Sequence, residues 1–202
     1  MFPLGTALLP WQPLPLQVFE PRYLLMMRDV AGTDGRFGVV LIERGGEVGG
    51  GDERFSIGCV AGIEQVRPIM HGRYAVIGRG QQRFEVVRWL PDDPYPRAEV
   101  RYLPELEWSD EHTQLLHDTE HAVRRALSVM SEYRPQMWAA DVELSETPAI
   151  RAWQLAGIAP LGPLDQLTLL RSESILDLLE RTTELTAEAL DLLPLQFPDD
   201  PT

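Results

Sequence analysis

The sequence predicts an α+β protein, β-rich over residues 1–104 and α-helical over 105–193. Three observations lead there. Short apolar runs punctuated by glycine and proline fill the first hundred residues. From Ser109 onward the apolar residues recur at spacings of three and four. The charge changes in the same region: residues 1–102 hold 12 arginines against 12 acids, whereas residues 103–202 hold 6 against 19, which is the whole net charge of −13.

The elements follow in order. Near the N-terminus, Leu8 to Leu16 sets Trp11 among prolines, where the backbone cannot join a central strand. Pro21 suits a first helical position, Tyr23, Leu24, Met27 and Val30 make an apolar stripe, and Gly32 ends the helix. Arg36 to Ile42 is a near-continuous apolar run, as for a strand buried on both faces. Ile57 to Ile69 reads as a strand bent at its glycines. Tyr74–Gly78 and Arg83–Trp89 read as two strands joined by a short hairpin at Gly80-Gln81-Gln82, and Arg97–Leu103 alternates cleanly. Such a set of strands suits a barrel or a sandwich.

The second half reads as three or four helices forming a small bundle. Leu115, Thr119, Ala122, Ala126, Val129 and Tyr133 form the first stripe, widened by Leu116, Val123, Leu127 and Met130. Thr147-Pro148 opens a helix expected to stop at Gly157, Pro163 opens a short one through Leu170, and a heptad-like seam runs from Ile175 to Leu192. Residues 194–202, with three prolines, are expected to be disordered.

Composition closes several classes of function. The chain has no lysine: all 18 basic residues are arginines. A Walker-type phosphate loop needs a lysine ammonium, and a Ser–Lys hydrolase needs a base that arginine cannot supply. The single cysteine, Cys59, lies in an apolar run and reads as a buried thiol in a reducing compartment. With no basic leader and no apolar run of membrane-spanning length, the expected location is the cytoplasm, with no membrane partner. Neither half carries the positive excess that a nucleic-acid partner requires. No cofactor is expected.

Few motifs invite chemistry. His117-Asp118-Thr119-Glu120-His121 matches the His-x-x-Glu-His pattern of inverted zinc peptidases, with His112 upstream, yet it also fits a solvated helix face. The glycine-rich stretch with Gly45, Gly46, Gly49, Gly50 and Gly51 lacks the Gly-Lys-Ser/Thr ending of a phosphate loop and reads as a flexible connection. No serine lies in a nucleophile elbow. Tyr74, Phe84 and Trp89 lie in strands and are expected in the core.

The order of these pieces resembles a known family. Phe2-Pro3-Leu4, the Phe19-Glu20-Pro21-Arg22-Tyr23 segment, Phe37-Gly38-Val39-Val40, the Gly-rich loop, Ile57-Gly58-Cys59-Val60-Ala61 and Gly80-Gln81-Gln82-Arg83-Phe84 resemble the N-terminal substrate-binding domain of Lon, the ATP-dependent protease La. The resemblance spans roughly residues 1–190. It implies a PUA-like β-barrel followed by helices, in the stand-alone form, since the sequence stops before an ATPase or a Ser–Lys peptidase module. It implies a non-catalytic protein that binds unfolded or hydrophobic polypeptide segments, with a role in quality control and a protease or chaperone as onward partner. Leu9, Trp11, Leu14 and Tyr95 are the expected peptide contacts, with the Gly-rich loop as a flap, and Glu20 and Arg22 are expected to cap and brace the first helix. The alternatives are RNA binding, as PUA-like barrels elsewhere do, and a zinc hydrolase using the histidine pair.

Overall fold

The computed structural model describes residues 1–133 and 135–193. The 194–202 tail lies outside the described residues. The chain divides into two compact units, Met1–Glu105 and Leu106–Thr202. The first holds a mixed sheet and one helix and the second holds helices, so the protein is α+β.

The first unit runs β1 (Phe2–Leu4), β2 (Pro13–Val18), α1 (Pro21–Ala31), β3 (Arg36–Arg44), β4 (Glu53–Ile69), β5 (Arg73–Leu90) and β6 (Arg97–Tyr102). The sheet order is β1-β3-β4-β5-β2, with β6 also on β5. β1 lies parallel to β3, and every other pair is antiparallel. Phe37, Val39, Val40 and Leu41 of β3 are all buried, as a strand covered on both faces requires. Val40 packs with Val60 and Phe84, each contributing about 1.5–3 kcal/mol by burial.

Gly80-Gln81-Gln82 is not a hairpin. The two runs on either side of it form one strand of 18 residues, paired along nearly its whole length with β4 and β6. The pairing with β4 changes register between Cys59 and Ala61 and again between Ile63 and Gln65, and Gly80 sits in the first irregularity. A Cβ at Gly80 would meet the Leu9 carbonyl, so the glycine serves close approach rather than a turn.

Pro21 takes the first position of α1, and Gly32 follows its end. Tyr23, Met26 and Met27 face inward, and Tyr23 stacks on Phe2 with ring centroids 4.2 Å apart. Glu20 stands at the cap position but makes no side-chain cap bond.

The second unit holds α2 (Thr113–Ser131), α3 (Pro148–Ile158), α4 (Pro163–Leu170) and α5 (Ile175–Asp191). α2 and α5 pack together, and the Thr119 and Thr183 hydroxyls meet at 3.0 Å between them. The buried face of α2 joins Thr119 and Ala126 of the expected stripe to Leu116, Val123, Leu127 and Met130, which widened it; Tyr133, also from the stripe, is exposed. α5 opens with a reciprocal cap: Ser174 accepts from the Asp177 amide, and the Asp177 carboxylate accepts from the Glu173 amide. Gly157 lies inside the last turn of α3, which closes at Ile158. Among the described residues no helix is long and apolar enough to cross a membrane.

Candidate functional site

Side chains alternate across a strand, and directly paired residues share a face. Leu14 and Val18 of β2 and Val76 of β5 are buried on the inner face. The outer face therefore carries Pro15 beside Ile77, then Gln17 beside Ala75 and Arg67, then Ile69 opposite Arg73. Ile69 and Ile77 are exposed there, at 39% and 42%. Phe19, just past β2, is also exposed and has the Arg73 guanidinium 5.6 Å from its ring centroid. Both long strands continue beyond the buried core, so Val66 and Tyr74 are exposed as well, and Met70 at the turn is 79% exposed. Tyr74 is thus not a core residue, because β5 begins where the covering layer has ended.

The charge on this end of the sheet has one sign. No carboxylate occurs between Gln65 and Phe84. Arg67 and Arg73 are exposed and form no ion pair with the described residues. Arg79, further along, is held by Glu64 at 2.5 Å and also donates to the Trp11 carbonyl.

Trp11 is 43% exposed and takes φ 65°, a conformation that L side chains rarely adopt. The turn is over-determined. The Trp11 amide donates to the Gly80 carbonyl, the Gly80 amide donates to Gln12, and the Gln12 side chain accepts from the Leu9 amide. The fold holds the indole outward at a cost in backbone strain.

The other expected contacts are placed differently. Leu9 is fully buried and Leu14 is buried, so neither side chain offers surface to a partner. Tyr95 is half-buried, and its hydroxyl donates to the Asp29 carboxylate at 2.9 Å, bracing the segment after β5 against α1. Of the four, only Trp11 is presented. The outer-face residues Phe19, Ile69, Met70 and Ile77 had no motif to mark them; the only sequence signal was the run of 20 residues without an acid, Gln65 to Phe84.

The Gly-rich stretch is tied down at two points. The Glu47 carboxylate accepts from the Gly5 amide at 2.6 Å, and the Gly49 amide donates to Glu20 at 3.4 Å. Gly49, Gly50 and Gly51 all have positive φ, which lets the loop close onto Arg22. Glu20 pairs with Arg22 at 3.2 Å, and the Arg22 guanidinium lies over the Tyr23 ring. Behind the loop, Asp52 and Arg54 form an ion pair with side chains only 2% and 10% exposed, extended by Asp92 at 2.9 Å. Burial would raise the Asp52 carboxyl, but hydrogen bonds from Arg54 and the nearby guanidinium charges hold it below its ordinary value. This ion-paired cluster braces the loop.

The histidine pair of α2 gathers no ligand set. His117 and His121 are exposed, and Glu120 is engaged by Arg124 at 2.9 Å and Arg151 at 3.7 Å. Arg124 also donates to the carbonyls of Ala140 and Val142, so Glu120 helps anchor that segment. Among the described residues no three His, Cys, Asp or Glu side chains come together as metal ligands. Cys59 is buried, and burial pushes its thiol up to about 12, so it is no nucleophile at neutral pH.

The protein is α+β, and the notable surface of its first unit is an apolar sheet face flanked by arginines. The chain belongs to the ATP-dependent protease La (LON) substrate-binding domain family, which matches residues 1–188. It is similar to Lon protease 2 of Herpetosiphon aurantiacus, 24% identical over 96% of this chain and 24% of that protein. Lon protease of Desulforamulus reducens is 27% identical over 72% of this chain and 18% of its own length. The chain therefore spans about a quarter or less of the length of these curated relatives. Among solved structures, a Lon N-terminal domain protein from Xanthomonas campestris is 28% identical with a TM-score of 0.62, covering 92% of this chain and 95% of that one. The N-terminal domain of a Mycobacterium avium complex Lon protease shares the fold with the same TM-score at 19% identity.

Proposed function

We propose that this domain binds exposed apolar segments of unfolded polypeptide on the outer face of β2, β5 and β4, with Trp11 as an accessory contact. The observation that carries the reading is the solvent exposure of Phe19, Ile69, Met70 and Ile77 on one end of a rigid sheet. Apolar patches rimmed by polar groups mark interaction sites, and a sheet face receives an extended chain without rearranging. The family's description as substrate-binding supports the same conclusion. On this reading the first unit is the PUA-like barrel and the second the helical bundle. The protein works in the cytoplasm as a non-catalytic receptor in quality control, passing bound chains to a protease or chaperone.

The test is titration with a permanently unfolded model protein, followed by fluorescence anisotropy. Ile77→Ser combined with Met70→Ser is expected to weaken binding at least about tenfold while leaving circular dichroism unchanged. Unchanged affinity in that variant would place binding elsewhere.

A further inference from the structure

Resting on that reading of the same face, we propose that the site selects extended segments in which carboxylates alternate with apolar side chains along one face, two residues apart. Arg67 and Ile69 lie two residues apart in β4 and so project from the same face, about 7 Å apart. On β5, Arg73 faces Ile69, and Ala75 and Ile77 continue the same row. A cation thus stands one side-chain step from an apolar contact on both strands. An extended ligand has the same repeat. An apolar side chain set over Ile77 brings the next side chain on that face over Arg67, and the one after it over Ile69, which has Arg73 directly opposite.

These two arginines are the ones available for a ligand. Arg79 beside them is committed to Glu64, and Arg54 to Asp52 and Asp92. The cation–π contact with Phe19 orients Arg73 without neutralising it. The net charge of −13 does not cancel the preference, because residues 1–102 are electrically balanced and charges beyond about 8 Å are screened at physiological salt. Two arginines are too few for a nucleic-acid backbone, whose binding depends on releasing counterions along a longer cationic track. A peptide needs only local pairing.

The experiment uses the 202-residue chain and three rhodamine-labelled, unstructured peptides with the same leucines and phenylalanines, carrying Asp, Gln or Arg two residues from each apolar side chain so that both lie on one face when extended. In about 50 mM salt the Asp peptide is expected to bind about tenfold tighter than the Gln peptide, and the Arg peptide weakest, with the spread collapsing in about 500 mM salt. Arg67→Gln with Arg73→Gln is expected to bind the Asp and Gln peptides equally. Arg67→Glu with Arg73→Glu is expected to invert the order. Equal affinity of the wild-type chain for all three peptides overturns the charge selection while leaving the apolar reading standing. Failure of all three to bind overturns both. Tighter binding of a single-stranded RNA oligonucleotide than of the Asp peptide overturns the assignment of a polypeptide ligand.

Discussion

The Trp11 amide donates to the Gly80 carbonyl at 2.7 Å, and the Gly80 amide returns a 2.9 Å bond to Gln12, so a proline-rich turn is fastened to the middle of β5. This contact spans nearly seventy residues of chain and fixes both the left-handed backbone of Trp11 and the burial of Leu9. Four consequences of this and the neighbouring interactions can be measured.

Gly80→Ala sets a methyl group against the Leu9 carbonyl, a backbone atom that cannot swing aside. The expected loss is about 2–3 kcal/mol, read as a lower urea midpoint with an unchanged m-value. The same variant is expected to bind unfolded chains more weakly, because the Trp11 turn moves with Leu9.

Trp11→Gly separates stability from binding. Glycine adopts positive φ without penalty, which offsets part of the loss of the indole's packing. Thermal unfolding is expected to change by less than about 1 kcal/mol, with affinity for the unfolded model chain falling about threefold or more. A destabilisation as large as that of Gly80→Ala would mean that the indole serves the core.

Asp52→Asn removes the carboxylate that Arg54 holds behind the Gly-rich loop. Arg54 keeps Asp92, so the expected cost at pH 7 is about 2 kcal/mol, below that of stranding a buried charge completely. The pH dependence follows from the depressed Asp52 value. A carboxyl held below its unfolded value stabilises the fold above about pH 4 and loses that contribution as pH falls through its folded value. Urea midpoints taken from pH 6 downward are expected to fall less steeply for Asp52→Asn than for the wild type.

Alkaline pH is expected to destabilise the first unit. Burial pushes both the Cys59 thiol and the Tyr23 phenol up to about 12. Both groups stay protonated in the fold and ionise in the unfolded chain above about 8.5 and 10, so stability declines as pH rises past those values. Cys59→Ala is expected to remove the part of the decline between about pH 8.5 and 10, seen as a flatter plot of urea midpoint against pH.

Part of this was legible from local chemistry. Proline at the first positions of α1, α3 and α4 marks helix starts, because an amide there would have no intrahelical partner and the ring presets the helical φ. The continuous apolar run of β3 announced burial on both faces. Gly80-Gln81-Gln82 misled because glycine in a hairpin and glycine in a bulged strand look the same until the partner strand is known. The prolines around Trp11 marked an irregular segment but did not say which of its side chains face outward.

Sequence alone determined the α+β division, the family resemblance and the absence of any lysine-dependent chemistry, since each depends on which residues are present and at what local spacing. Tertiary structure decided which apolar residues are offered to a partner. Whether Ile77 faces solvent depends on strand register and on how far β4 and β5 outrun the core, and a register slip of a single residue would reverse the answer, while Leu9 is buried by a turn whose bonds reach across to β5.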